Sequence, residues 1–285
     1  MSGAPAADVT QWNEPLPAIA GYMFDLDGTL ILSDRSLGGY QVLPGAIEVL
    51  ETLAARGIPY VVLTNGSAYP PPEQAAKLRK LGLPIDDDAM LTPSSVAAYL
   101  MKRRKVASAL VLGSTGVGYA LAEEGIDTRY PGDVGAEDVQ AVYIGWHPDC
   151  NMKDIEAACN AIWGGAKLYV ASDVPFFATT AGRTIGYSYA ITAAVRKMTG
   201  APMILTGKPS LQALRLVARR LGTKTGNVAV VGDDPLVEMI MARRGGAAGF
   251  GVTTGFNKLA DWSAQPQSRR PHRVLENVGE LLQYL

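Results

Sequence analysis

Residues 21–30, GYMFDLDGTL, limit the possible folds most strongly, because an apolar run ends there in two aspartates two positions apart. The bulky apolar residues 22–24 lack helical spacing and predict a short strand that is buried on both faces, as in a parallel sheet. Asp25 then lies at the carboxyl end of the strand, where ligands bind in open α/β sheets. Asp27 points the same way in an extended segment. Two carboxylates this close repel each other, so the pair implies either a bound divalent metal or one raised pKa.

A plain turn that closes a strand is the alternative interpretation of residues 25–28, since Asp and Gly are ordinary turn residues. Three distant segments favour a catalytic role for these aspartates instead, because the segments carry the other groups that phosphoryl transfer to an aspartate needs. The first is Thr64 to Ser67, at the end of the predicted strand 58–64, and the second is Lys208, just before the predicted helix start at Pro209. The third is the predicted strand 227–234, which ends in carboxylates that include Asp233, with Glu238 one turn into the helix that follows.

Strand-like and helix-like patterns alternate along the chain, which predicts an α/β fold with a parallel sheet and right-handed crossovers. From about residue 85 the pattern restarts as a second α/β unit, and the polar strand ends of the first unit return only after about residue 203. We therefore predict a Rossmann-like parallel-sheet core made of residues 1–84 and 204–285, with an inserted α/β cap domain at 85–203. Near the end, residues 260–272 indicate a loop and residues 276–285 a closing helix.

The composition of the chain limits the classes of molecule that it is expected to bind. A chain of 285 residues with 48% hydrophobic residues can bury a large core, and its net charge of −1 leaves no basic surplus for a nucleic acid polymer or an anionic membrane. A small-molecule substrate is favoured. Residues 1–19 lack the basic start and apolar run of a signal peptide, and no stretch of about 18 apolar residues occurs, so we expect a cytoplasmic protein.

The chain has two cysteines, Cys150 and Cys159, and two histidines, His147 and His272. Neither cysteine belongs to a CxxC pair or has an evident histidine partner, so the sequence favours neither a disulfide framework nor a cysteine-ligated zinc site. Two histidines also argue against a zinc hydrolase or a Ser-His-Asp triad. GSTGVG at 113–118 lacks the Lys-Ser/Thr ending of a phosphate-binding loop and predicts a glycine-rich turn between a strand and a helix.

Taken together, the sequence resembles the haloacid dehalogenase superfamily, and within it the phosphatase branch with a large α/β (C2-type) cap between the second and third motifs. That branch includes p-nitrophenyl phosphatases, phosphoglycolate phosphatases and pyridoxal phosphate phosphatases. The resemblance covers about residues 20–255. Its motifs are DLDGT at 25–29, LTNGS at 63–67, GKP at 207–209 and GDDPLVE at 232–238.

The resemblance implies a role for each motif residue. Asp25 attacks phosphorus and forms an aspartyl phosphate, and Asp27 acts first as general acid and then as general base. Lys208 balances the charge of the phosphoryl group and the nucleophile. The phosphoryl oxygens are held by Thr64 and by the main-chain amides of Asn65, Gly66 and Ser67.

The resemblance also implies a Mg²⁺ cofactor. The ion lies between Asp25, the main-chain carbonyl of Asp27 and Asp233, with positions left for water and a phosphate oxygen. Glu238 stands where the branch usually carries an aspartate and is expected to accept hydrogen bonds in the outer sphere of the metal.

In the cap, the branch's usual Thr-Asn-Pro-Asp is replaced by SDVP at 172–175, and its small Gly-Ala-Gly turn by GYSY at 186–189. Asp173, Tyr187 and Tyr189 are therefore the expected contacts to the organic part of a small phosphate ester. A homo-oligomer is compatible with this resemblance. Two other functions remain open at this point: a different phosphoryl-transfer enzyme of the same superfamily, and a non-catalytic module that accepts phosphate on Asp25.

Overall fold

The computed structural model describes residues 14–33, 39–179 and 182–285. Residues 1–13, which contribute to the expectation that no signal peptide is present, lie outside the described residues.

Within these ranges the chain alternates between strands and helices. The strands are β1 (Gly21–Phe24), β2 (Ile31–Ser33), β3 (Tyr40–Val42), β4 (Tyr60–Leu63), β5 (Met90–Leu91), β6 (Ser108–Leu112), β7 (Asp127–Arg129), β8 (Ala141–Ile144), β9 (Lys167–Val170), β10 (Phe176–Thr179), β11 (Gly182–Ile185), β12 (Met203–Leu205), β13 (Val228–Gly232), β14 (Ala248–Val252) and β15 (Arg273–Leu275). The α-helices are α1 (Ala46–Ala55), α2 (Pro71–Arg79), α3 (Pro93–Arg103), α4 (Thr115–Glu123), α5 (Met152–Trp163), α6 (Tyr187–Thr199), α7 (Leu211–Arg220), α8 (Ile240–Gly245) and α9 (Leu259–Ser263).

The core domain is built on a six-stranded parallel sheet in the order β15-β14-β13-β1-β4-β5. All four residues of β1 are buried, and so are all five residues of β13 and of β14. Near-continuous apolar sequence is what a strand covered on both faces requires. The predicted Rossmann-like parallel core is thereby confirmed.

The cap domain has its own five-stranded parallel sheet, in the order β12-β9-β8-β6-β7. β5 pairs with β4 in the core sheet, and β12 pairs with β9 in the cap sheet. Each crossing between the domains therefore lies a few residues later than the predicted positions 85 and 203. We place the first crossing near residue 92 and the second near residue 206.

Helix α3 lies between the two domains, because it packs against α4 of the cap and against α7 of the core. One hydrophobic cluster runs through this contact and joins both sheets. It contains Met23 and Leu63 from the core sheet and Val111 and Tyr143 from the cap sheet. Burial of apolar surface stabilises the folded state by roughly 25 cal/mol per Å². Because this cluster includes residues of both domains, its burial stabilises the contact between them.

The sequence patterns do not predict several short elements or their exact ends. Helix α7 starts at Leu211 rather than at Pro209, because the Ser210 hydroxyl caps it by accepting a hydrogen bond from Gln212 N at 3.2 Å. The predicted loop at 260–272 overlaps α9 and ends just before β15, and the closing segment forms a 3₁₀ helix at Val278–Tyr284 rather than an α-helix. Strands of two or three residues are too short to show a periodicity.

In the described part of the chain, no helix has both the length and the apolar character needed to cross a membrane.

Candidate active site

Asp25 and Lys208 form a buried ion pair at the carboxyl edge of the core sheet. Asp25 directly follows β1, and its main-chain N–H donates to Val231 O at 2.9 Å on the neighbouring strand β13. The Lys208 Nζ donates to Asp25 Oδ1, and the two side chains are only 2% and 9% exposed. A buried charge is tolerated when it is paired in this way. The structure therefore brings together the predicted nucleophile and the predicted cation.

Glu238 is the second partner of this lysine, with Lys208 Nζ 2.8 Å from Glu238 Oε1. The other Glu238 oxygen accepts a hydrogen bond from Asp234 N at 3.2 Å. Oxygen atoms of Asp25, Asp233 and Glu238 all lie within 4.8 Å of one another. Glu238 thus contacts the lysine directly, in addition to lying beside the carboxylates predicted to hold metal.

Negative charge exceeds positive charge in this cluster. Burial raises the pKa of Asp233 well above its ordinary value, and the neighbouring Asp25 and Glu238 carboxylates raise it further. Burial also raises the pKa of Glu238 to about 7, although Lys208 opposes the shift. One lysine does not offset the carboxylates around it, so a further cation fits this group of oxygen ligands.

Asp27 lies two residues after Asp25 and retains surface that solvent can reach. Protein atoms nevertheless crowd its carboxyl group at longer range, and this reduced hydration raises the pKa of Asp27 to about 6. The nearby Asp25 carboxylate raises the pKa as well, whereas the Ser33 hydroxyl, which donates to Asp27 Oδ1, opposes the shift. A carboxyl group with such a pKa can both give and take a proton near neutral pH.

Gly28 allows the chain to leave the site beside Asp233. Its φ of +83° favours glycine, and a Cβ at this position would lie 2.5 Å from Asp233 Oδ2. The Gly28 carbonyl accepts a hydrogen bond from the Thr254 hydroxyl at 2.6 Å, and the Asp233 carbonyl accepts one from Asn257 Nδ2 at 2.9 Å. The sequence analysis did not single out Thr254, Asn257 or Ser33. Thr254 follows β14, so its position after an apolar strand was the available signal.

The second motif follows β4, which is hydrogen-bonded to β1. Thr64 is buried, and its Oγ1 accepts a hydrogen bond from Gly66 N at 2.9 Å. The Ser67 hydroxyl is likewise buried and accepts from the main-chain N–H of Trp146 in the cap, at 3.2 Å. These contacts shape the loop next to Asp25.

The side chain of Asn65 makes a contact that the sequence analysis did not predict, in addition to the role expected of its main-chain amide. Its side-chain Nδ2 donates to Lys208 O at 3.0 Å, and its Oδ1 accepts from Lys208 N at 2.8 Å. The side chain therefore fixes the main chain of the lysine, a role that sequence reasoning missed. Gly207 lies in the same junction, where a Cβ would overlap Ala171 O of the cap and the Asn65 side-chain oxygen.

The three predicted cap residues lie at the base of the β10–β11 hairpin. Gly186 N donates to Pro175 O at 2.9 Å, which joins the segment containing Asp173 to the start of α6. The Tyr187 ring meets the Trp146 ring edge to face, with centroids 4.7 Å apart. Asp173 is exposed, and Tyr189 is 39% exposed. Tyr187 is thus connected to the loop of Ser67 through Trp146, whereas Tyr189 faces solvent.

The glycine-rich stretch 113–118 packs the cap against the core. A Cβ at Gly116 would come within 2.5 Å of the Tyr69 main chain, and the Ser114 hydroxyl donates to Ala68 O at 2.8 Å. Close approach of the main chain accounts for the glycine at position 116. The contacts of this stretch match the predicted strand-to-helix turn.

Comparison with known proteins agrees with this geometry. The family model of haloacid dehalogenase-like hydrolases matches residues 22–127, and a second HAD-hydrolase-like model matches residues 205–281. The chain is 26% identical over 266 residues to the 5′-nucleotidase YutF of Bacillus subtilis, covering 93% of this chain and 98% of the relative. It is also 26% identical to chronophin of Rattus norvegicus, covering 93% of this chain and 87% of the relative.

Among solved structures, a hypothetical protein from Pyrococcus horikoshii OT3 superposes with a TM-score of 0.84 at 26% identity, covering 93% of this chain and 99% of that one. The two family models match segments that carry the aspartate, threonine, lysine and second aspartate motifs. The chain therefore belongs to the haloacid dehalogenase superfamily, in its phosphatase branch.

Proposed function

We propose that this protein hydrolyses small organic phosphate monoesters through an aspartyl-phosphate intermediate on Asp25, with Mg²⁺ as its cofactor. The observation that carries the proposal is the buried group around Lys208, in which one lysine contacts both Asp25 and Glu238 while Asp233 lies alongside. A carboxylate next to a fixed cation at the carboxyl edge of a parallel sheet is suited to attack on a phosphoryl group.

Hydrolysis proceeds in two displacements in this proposal. A carboxylate oxygen of Asp25 forms a bond to phosphorus as the bond from phosphorus to the ester oxygen breaks, and Asp27 gives its proton to the leaving alcohol. Asp27, now a carboxylate, takes a proton from a water molecule as that water attacks phosphorus. The phosphorus bond to Asp25 breaks, inorganic phosphate leaves, and both aspartates return to their starting states.

Lys208 and the second motif hold the phosphoryl group during both steps. Lys208 is held by Asn65 at its main chain and by Glu238 at its Nζ, so its charge stays next to Asp25. Thr64 and the main-chain amides of Asn65 and Ser67 are the proposed donors to the phosphoryl oxygens on the adjacent strand end, while the Gly66 amide donates to Thr64 Oγ1 and holds that side chain. Fixed donors that need no rearrangement stabilise the charge that develops in the transition state.

Mg²⁺ fits the residues present, because the carboxylates of Asp25 and Asp233 are hard oxygen ligands with a surplus of negative charge. We propose that these two side chains and the main-chain carbonyl of Asp27 hold the ion. When bound, the ion supplies positive charge to the phosphoryl oxygens. Glu238 then forms an ion pair with Lys208 and lies beside the proposed metal ligands.

Steady-state hydrolysis of p-nitrophenyl phosphate tests the proposal. We expect many turnovers per protein molecule with Mg²⁺, and loss of turnover on addition of a chelator. Asp25→Asn is expected to fold normally and to lose turnover, because an amide is a poor nucleophile of almost the same shape. Asp138→Asn, which changes an exposed aspartate of the cap, is the matched control and is expected to keep the wild-type rate.

The intermediate gives a second readout. Acid quenching during turnover, followed by mass spectrometry, is expected to find one phosphoryl group on the peptide that contains Asp25. Phosphate transfer limited to one event per molecule would identify a phosphate acceptor module instead of an enzyme. Retention of more than a few per cent of the wild-type rate in Asp25→Asn, with deamidation excluded, would contradict the assigned nucleophile.

A further inference from the structure

The cap contains a second group of metal-ligating side chains, made of His147, Cys150 and Asp154. Among the described residues, this group and the active-site carboxylates are the sets of three in which one ligand atom from each residue lies within 4.8 Å of the others. The sequence analysis found no evident histidine partner for either cysteine. The fold supplies one, because the loop between β8 and α5 returns Cys150 to His147.

The main chain fixes this group in place. Asn151 caps α5 by accepting a hydrogen bond from Lys153 N at 2.8 Å, and Asp154 Oδ2 accepts in turn from Asn151 N at 2.9 Å. This capping box holds the Asp154 carboxylate, and His147 Nε2 lies 3.2 Å from the same oxygen. The helix start therefore fixes the Asp154 carboxylate, and the loop before it brings His147 and Cys150 to the same point.

Capping of helix α5 alone explains the positions of two of the three residues. Asp154 is needed to cap the helix, and His147 can pair with it. Cys150 has no such task, since the contact made by its Sγ is a weak one of 3.8 Å to Asn151 O. The thiol nevertheless lies beside the imidazole and the carboxylate.

We propose that His147, Cys150 and Asp154 form a binding site for a transition-metal divalent cation, with Zn²⁺ as the preferred ion. Imidazole nitrogen, thiolate sulfur and carboxylate oxygen are the ligands that Zn²⁺ uses, and three protein ligands leave a fourth position for water. The His147 and Asp154 side chains are 20% and 11% exposed, so an ion can reach the group. The all-carboxylate group at Asp25 has harder ligands, which suit Mg²⁺ instead.

The site would also affect the contact between cap and core. Trp146 directly precedes His147, and its main-chain N–H donates to Ser67 in the second motif loop. A metal ion on His147 therefore fixes the loop that touches the core, one residue from the contact.

Cobalt binding tests the proposal. The chelator-treated protein is titrated with Co²⁺ in the presence of excess Mg²⁺, which occupies the carboxylate group at Asp25. We expect one equivalent of Co²⁺ to produce a thiolate-to-cobalt charge-transfer band, which an all-oxygen site does not give, and Zn²⁺ to displace it. Thermal unfolding with and without Zn²⁺ is a second readout, since a ligand that binds the folded state raises the Tm.

Cys150→Ser is expected to abolish the charge-transfer band. It is also expected to weaken Zn²⁺ binding by more than roughly tenfold, because loss of an outer-sphere partner alone already has about that effect. Cys159→Ser is the matched control, because it removes the other cysteine and leaves the three ligands intact; it is expected to retain the band. His147→Gln keeps the thiol and is expected to weaken binding. A wild-type protein that gives no band while folded, or a band that survives Cys150→Ser, would overturn the proposal.

Discussion

The side chain of Asn65 makes two hydrogen bonds to the main chain of Lys208, one in each direction, at 3.0 and 2.8 Å. These bonds join the second motif to the third across 143 residues of sequence. The amide thereby fixes the position of the lysine that contacts Asp25.

Replacing Asn65 by alanine is expected to lower kcat/KM for p-nitrophenyl phosphate by about tenfold or more. The change leaves a main-chain donor and acceptor of Lys208 unpaired, which costs about 1–3 kcal/mol of stability for each buried group and lets the lysine move relative to Asp25. A loss of about 1.4 kcal/mol in transition-state stabilisation from that movement corresponds to a factor of ten in rate. Steady-state kinetics and urea unfolding together check the outcome. A variant with normal kcat/KM and normal stability would show that the lysine keeps its position without this amide.

Replacing Asp233 by asparagine is expected to raise the Mg²⁺ concentration for half-maximal activity by roughly tenfold or more. The change removes one carboxylate from a hard-cation site and leaves its size almost unchanged. Asp234→Asn is the matched control, because Asp234 Oδ1 caps the Leu236 N–H at 2.7 Å and an asparagine oxygen can do the same. Identical Mg²⁺ titrations for wild type and Asp233→Asn would place the metal elsewhere.

His272 is expected to make the protein less stable in mild acid. Its Nδ1 accepts a hydrogen bond from Gly249 N at 3.0 Å, and burial lowers the pKa of the imidazole, with Arg243 lowering it further. The unfolded chain therefore binds a proton at a pH where the folded chain does not, so the free energy of unfolding falls as the pH drops below about 6.5.

Urea unfolding at about pH 7.5 and about pH 5.5 measures this effect in the wild type and in His272→Gln. One proton contributes a slope of at most about 1.4 kcal/mol per pH unit. The variant removes this contribution, so its stability is expected to fall less between the two values. Equal pH slopes for the two proteins would contradict the assignment, since other titrating groups are common to both.

The cap tyrosines are expected to differ in their effect on substrate choice. Tyr187 packs against Trp146, which contacts the second motif loop, whereas Tyr189 is exposed. All monoesters present the same phosphoryl group, so discrimination depends on contacts with the organic part. Tyr187→Ala is expected to change the order of kcat/KM among several esters, and Tyr189→Ala to leave that order unchanged. A uniform fall for Tyr187→Ala would indicate lost cap stability instead of a pocket contact.

Strand-end residues were predictable because each follows an apolar run long enough to identify. Asp25, Thr64 and Asp233 belong to this group, and parallel strands bring their ends to one edge. Lys208 was predictable as a cation before a helix, although that helix starts two residues later than expected. These positions need only local sequence and the geometry of a parallel sheet.

The side-chain partners were not predictable, because they join residues that are distant in sequence. The main-chain amide of Asn65 was expected to hold a phosphoryl oxygen, and its side chain also reaches Lys208. Glu238 was expected near the metal, and it also pairs with the lysine. His147 and Cys150 are an exception, since they are three residues apart in sequence, and their side chains meet because the chain turns before α5. Such contacts depend on tertiary packing, which no periodicity encodes.

Helix α3 has a consequence for how this insertion can be exchanged or removed. Its 11 residues carry apolar side chains that contact the sheets of both domains through one cluster. Deleting residues 92–206 would uncover the apolar face of α7, and grafting another cap would require a helix that fits that face. The inserted domain therefore cannot be removed without exposing apolar surface of the core domain. Its exchange between relatives has to conserve this interface as well as the catalytic motifs.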